Sequence, residues 1–83
     1  VVGPICESAD VLARGRRLGT LAAGQLLAVL GAGAYGSTMA SNYNGRLRPA
    51  EVLVRGTRWA LIRRRETTRD LIRQDVIPRG MCD

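Results

Sequence analysis

A mainly β domain with short helices is the architecture the sequence predicts, and three stretches carry that expectation. Residues 1–5 (VVGPI) are a short β-branched run, residues 25–30 (QLLAVL) are almost wholly apolar, and residues 50–64 make two segments around Gly56 and Thr57. With 83 residues the chain is one small domain, which buries only roughly 60% of its unfolded surface, so a partner surface is expected. It opens on VVGPI with no initiating Met and reads as a piece of something longer.

Taken in order, residues 1–5 read as a strand that Gly3 and Pro4 interrupt, entering a loop over residues 6–10. Residues 14–17 are polar and basic, with Gly15 as a turn. Residues 21–23 and 25–30 are apolar either side of Gly24, and the second run reads as a strand buried on both faces. It feeds a glycine-rich turn in which Gly31, Gly33 and Gly36 allow positive φ and close approach of backbone to a ligand. A short helix is expected over residues 34–41, ended by Asn42, Asn44 and Gly45, which favour turns. Residues 50–55 then read as a strand with Val52 and Val54 on one side and Glu51, Leu53 and Arg55 on the other. Gly56 and Thr57 suit a tight connection to a second strand over residues 58–64, giving a hairpin. Thr67 or Thr68 caps a last helix. Thr67 with Asp70 resembles a capping box with Asp in place of Glu, and Leu71, Ile72 and Val76 supply the apolar stripe. Pro78 and Gly80 end that helix, and residues 79–83 are expected to fray.

The net charge is +6, and all 13 basic residues are arginine, with no lysine and no histidine. No side chain here can form a Schiff base, and no imidazole can shuttle protons or bind metal. The arginines are scattered apart from Arg63, Arg64 and Arg65, and few aromatic residues are available for stacking, so no nucleic-acid partner is expected. A subunit interface or an acidic neighbouring domain explains the excess as well, and the arginine triplet reads as a strand end with solvated or inter-subunit side chains. The two cysteines, Cys6 and Cys82, form neither a disulfide framework nor a zinc site and point to a reducing compartment. No apolar stretch reaches the ~20 residues of a membrane span, and these residues show no signal-peptide pattern. A soluble, cytoplasmic protein with no membrane partner is expected.

Gly31, Gly33 and Gly36 spell G-x-G-x-x-G, with Glu51 about 20 residues further on, the spacing of a dinucleotide fingerprint. The helix after it is short and polar, and the hairpin that follows is antiparallel, whereas that fingerprint requires a βαβ crossover. Two other places offer chemistry. Cys6 and Glu7 are adjacent on a loop, either as a buried small thiol beside a solvated acid, or as a proton-exchanging thiol with a carboxylate that binds a substrate ammonium. Tyr35 is either a packing residue or a hydroxyl donor to a phosphate or carboxylate, assisted by a helix N-terminus.

GPICESAD at residues 3–10, GAGAYG with MASNYNGR across residues 31–46, RPAEVLV at residues 48–54 and RRRET at residues 63–67 occur in this order. Together they closely resemble the C-terminal domain of the diaminopimelate decarboxylases, members of the pyridoxal-phosphate-dependent ornithine, diaminopimelate and arginine decarboxylase family. The resemblance reaches from Val1 to about Ile72. It implies that residues 1–83 are part of one C-terminal β domain, an incomplete antiparallel β-barrel or sandwich with short helices. The cofactor-binding (β/α)8 barrel, which needs roughly 250 residues, is absent from this chain. It further implies pyridoxal 5'-phosphate bound covalently by a lysine outside this chain, meso-diaminopimelate as substrate, an N-terminal barrel domain as partner, and a homodimer. Cys6 and Glu7 would act in the partner subunit's site, Cys6 as proton donor at the α-carbon and Glu7 on the distal ammonium, with Ser8 shaping the loop. Tyr35 would contact the cofactor phosphate and the substrate carboxylate of its own subunit. Ala9 and Leu47 depart from the family pattern, which has glycine and commonly proline there. Two rivals stand beside this reading: a related pyridoxal-phosphate-dependent amino-acid decarboxylase, and a small basic non-enzymatic binding module.

Overall fold

The computed structural model describes residues 1–81. The chain divides into two compact units, Val1–Met39 and a second beginning at Ala40. Cys82, which entered the compartment argument with Cys6, and the end of the 79–83 tail lie outside the described residues.

The first unit contains no extended strand. Val2 and Val11 form an isolated antiparallel bridge, and Leu12 N–H donates to the Val1 carbonyl at 2.8 Å, so residues 1–5 are a bridge and a loop rather than the expected strand. Residues 25–30 also depart from expectation: they are not a strand and not buried, Leu26 and Leu30 being 96% and 90% exposed. The physical reason is pairing. A two-sided buried strand needs neighbours that accept its backbone bonds and cover both faces, and the described residues supply none. Leu27 and Val29 instead line an open groove with Leu12 and Leu18. Helix α1 is Gly33–Gly36, much shorter than the 34–41 expected, because two of its four residues are glycine and none is buried.

The second unit follows the sequence closely. A 3-10 turn at Tyr43–Gly45 places Asn44 at φ 55° and Gly45 at φ 71°, the left-handed geometry expected of asparagine and glycine. Strand β1 is Glu51–Arg55 and β2 is Arg58–Arg63, paired antiparallel. Gly56 has φ 61°, and glycine with positive φ at the first of two turn positions is the type II′ pattern, whose twist matches the strands. Val52 pairs with Leu61 and Val54 with Trp59, which puts four apolar side chains on one face. Beyond them a bulge leaves Ile62 without an opposite number before Glu51 pairs with Arg63.

Polar bonds hold this hairpin at its base. The Glu66 carboxylate accepts from the Asn42 amide at 2.6 Å, from the Arg48 N–H at 2.7 Å and from the Arg48 guanidinium at 3.1 Å. Arg48 also donates to Asn42 Oδ1 at 3.0 Å and to the Ala40 carbonyl at 3.1 Å. The chain entering β1 is thereby tied to the chain leaving β2. Helix α2, Thr68–Ile72, starts as the sequence predicts: the Asp70 carboxylate accepts the Thr67 N–H at 2.7 Å. The same carboxylate takes both Arg64 guanidinium bonds, at 2.8 and 2.7 Å, the bidentate geometry that strengthens a charged pair. The helix stops at Ile72, so Val76, placed on its apolar stripe by the sequence, lies beyond it and is 87% exposed. A stripe without a surface to cover does not extend a helix.

The Arg64 guanidinium, seconded by the Thr67 N–H, holds the Asp70 carboxyl well below the usual carboxylate range. The Arg48 N–H, with the Asn42 and Arg48 side chains, lowers Glu66 in the same direction. A depressed folded-state value means both contributions are complete above the ordinary carboxylate pKa of roughly 4 and fade only as pH falls below it. Carbon-detected titration of the Asp70 carboxyl is expected to show a midpoint well under that of a free aspartate; a midpoint at the free value contradicts the pairing. Glu66→Ala is expected to speed amide exchange at Arg48 about tenfold, with Glu66→Gln intermediate; unchanged exchange in both contradicts the tie.

Candidate active-site loop

Residues 3–10 fold as two turns in series. Glu7 N–H donates to the Ile5 carbonyl at 2.8 Å and Asp10 N–H to the Glu7 carbonyl at 3.0 Å. Pro4 fixes φ before the first turn. Cys6 and Glu7 project from this loop and both are exposed, so the reading of Cys6 as a buried small thiol does not hold.

Glu7 is not a loosely solvated acid either. Its Oε1 accepts the Ala9 N–H at 2.9 Å and the Ser8 hydroxyl at 3.2 Å. These bonds, the Ala9 N–H foremost, lower its pKa, so the carboxylate is ionised at neutral pH. Both bonds fall on Oε1. Ser8 therefore shapes the loop through Glu7 rather than by itself. Ala9 has a negative φ, since Asn44 is the sole non-glycine residue with positive φ among those described. The alanine in place of the family's glycine thus introduces no backbone strain.

Tyr35 lies on α1 in the same unit and its ring is 74% exposed, which sets aside the packing reading. Four helical residues align too few peptide dipoles to make an anion site, so the expected assistance from a helix N-terminus falls away. No hydrogen bond among the described residues joins Tyr35 to the loop of Cys6 and Glu7. The structure brings Cys6 and Glu7 together by adjacency and leaves Tyr35 on its own segment.

Among the described residues no group of three His, Cys, Asp or Glu side chains could hold a metal ion. Nor is any helix among the described residues long and apolar enough to cross a membrane. The chain has no lysine, so its donor set fits a supporting position beside a pyridoxal phosphate, with a tyrosine hydroxyl, an exposed thiol and a carboxylate, and not covalent attachment. Four-residue α1 and the antiparallel hairpin give the G-x-G-x-x-G motif none of the crossover a dinucleotide site needs. Two arginines of the triplet are engaged locally, Arg63 with Glu51 at 2.6 Å and Arg64 with Asp70 at 2.7 Å.

Sequence reasoning missed two groupings. The Glu66–Arg48–Asn42 tie spans 24 residues and no local pattern announces it. Asp10 accepts the Gly3 N–H at its carbonyl, at 3.1 Å, and the Ile5 N–H at its carboxylate, at 2.7 Å, and no motif announces either contact.

Residues 1–33 match the family model described as the C-terminal sheet domain of pyridoxal-dependent decarboxylases. The diaminopimelate decarboxylase of Archaeoglobus fulgidus is 59% identical over 78 residues, 94% of this chain and 19% of the relative. That of Pseudomonas aeruginosa is 59% identical over 71 residues (86% and 17%), and that of Zymomonas mobilis 49% identical over 75 residues (90% and 18%). No solved structure matches the chain. The chain spans about a fifth of the length of these relatives. It belongs to the pyridoxal-dependent decarboxylase family, through the C-terminal sheet domain that its first 33 residues match.

Proposed function

We propose that this chain is the C-terminal part of a diaminopimelate decarboxylase and lends an acid–base loop to a site completed elsewhere. One observation carries the reading: an ionised Glu7 carboxylate, held by the Ala9 N–H and the Ser8 hydroxyl, stands exposed beside an exposed thiol. A rest-of-domain barrel or sandwich then covers the apolar side chains that are open here, and an N-terminal barrel domain supplies the lysine this chain lacks. The setting is a homodimer in the cytoplasm.

In the reaction the bond between the α-carbon and the carboxylate breaks and CO2 leaves. Pyridoxal phosphate, when bound, delocalises the electron pair left behind. The protein must then deliver one proton to the α-carbon. The Cys6 thiol donates it and is reprotonated from water, the part of a general acid at the α-carbon. Glu7 accepts hydrogen bonds from the ammonium at the far end of meso-diaminopimelate, which fixes which end meets the thiol. The Tyr35 hydroxyl would contact the cofactor phosphate and the substrate carboxylate, its one proton donated to either in turn.

Lysine release from meso-diaminopimelate by the cofactor-loaded full-length protein tests the proposal. Cys6→Ala is expected to lower kcat about a hundredfold or more with the dimer intact; wild-type turnover in that variant contradicts the role of the thiol. Glu7→Gln is expected to raise KM for meso-diaminopimelate more than it lowers kcat, because it weakens a charge-assisted contact made already in the ground state. Unchanged preference between meso-diaminopimelate and ornithine in Glu7→Gln favours a related decarboxylase with another substrate.

A further inference from the structure

We infer that Asp10 is the positioning residue of the Cys6–Glu7 loop, and that Gly3 lacks a side chain to make room for it; the inference rests on the proposed roles of Cys6 and Glu7. Three bonds converge on Asp10. Its Oδ2 accepts the Ile5 N–H at 2.7 Å, its carbonyl accepts the Gly3 N–H at 3.1 Å, and its own N–H donates to the Glu7 carbonyl at 3.0 Å. They anchor the backbone on both sides of Cys6, one residue before it and one after. Asp10 and Ile5 are half-buried while Cys6 and Glu7 are exposed, so Asp10 forms the inner wall of the loop whose outer wall carries the chemistry. A Cβ on Gly3 would stand 2.3 Å from both carboxylate oxygens of Asp10. Gly3 has an ordinary backbone conformation, with no positive φ, so the requirement for glycine is space for this carboxylate. The Val2–Val11 bridge closes the loop immediately outside the pair. Without the carboxylate the Ile5 N–H loses its acceptor and the first turn is free to move the thiol relative to the Glu7 carboxylate.

The test compares Asp10→Ala, Asp10→Asn, Gly3→Ala and the Gly3→Ala/Asp10→Ala double variant in the cofactor-loaded full-length protein. It measures kcat and KM for meso-diaminopimelate and the pH profile of iodoacetamide alkylation at the Cys6 peptide. Displacement of reacting groups by ~1 Å costs roughly a hundredfold, and Asp10→Ala and Gly3→Ala are each expected to lower kcat/KM by about that factor. The double variant is expected to be no worse than either alone, because both lesions break one contact. Asp10→Asn keeps an oxygen for the Ile5 N–H and is expected to restore most of the turnover and the wild-type alkylation profile. Multiplied losses in the double variant, or Asp10→Asn as impaired as Asp10→Ala, overturn the assignment. Should Cys6→Ala itself leave turnover unchanged, the proposed function fails, while the alkylation profiles of the Asp10 variants still decide whether Asp10 places the thiol.

Discussion

No side chain among the described residues is buried, and that constraint governs what the chain can be by itself. Burial of apolar surface at roughly 25 cal/mol per Å² is the main favourable term in folding, and here it goes largely unused. What order the chain has comes from hydrogen bonds and ion pairs, some local and some between segments up to 24 residues apart. The Glu66 carboxylate ties the ends of the hairpin, Asp70 joins α2 to Arg64, and Asp10 gathers the loop of Cys6 and Glu7. Each is a single carboxylate that accepts several donors, an economical device where no core can hold the backbone. A two-stranded sheet is at best marginally stable in water, and the apolar face made by Val52, Val54, Trp59 and Leu61 is open.

The same distinction explains what the sequence revealed and what it hid. The hairpin was legible because its determinants are local: alternation over residues 50–55, a glycine suited to positive φ at Gly56, and β-branched and aromatic residues on both arms. The start of α2 was legible for the same reason, since Thr67 and Asp70 are three residues apart. Residues 25–30 misled because an apolar run reports a demand for burial and not its fulfilment; Leu26 and Leu30 read as core and stand open. The glycines that made the turn after this run attractive as a ligand cradle also cut α1 to four residues. Glu66 and Asp10 escaped notice because their partners are set by the fold, over spans of up to 24 residues for Glu66 and through the missing side chain of Gly3 for Asp10.

The site divides along a similar line. Composition alone excluded imine and imidazole chemistry, since the chain has neither lysine nor histidine. It could not choose between a bland and a reactive Cys6; the family resemblance pointed to the pair, and the structure adds that thiol and carboxylate are both exposed and that the loop's own N–H and hydroxyl bond the carboxylate. In the proposed function the exposed thiol and carboxylate are covered by another surface. That is the physical link between the open apolar side chains and the proposed chemistry: the contacts that would complete the fold would also enclose the reacting groups, exclude water and strengthen the Glu7 interaction.

Subunit mixing tests this account most directly. Full-length protein carrying Cys6→Ala is combined, after dissociation and reassociation, with full-length protein in which the cofactor-binding lysine is replaced by alanine, each preparation inactive alone. If the Cys6–Glu7 loop completes the partner subunit's site, half of the dimers formed at equal mixing are mixed, each with one intact site, and lysine release returns to about a quarter of the wild-type level. If the mixed dimers form and release no lysine, the loop does not serve its partner's site and the account is wrong.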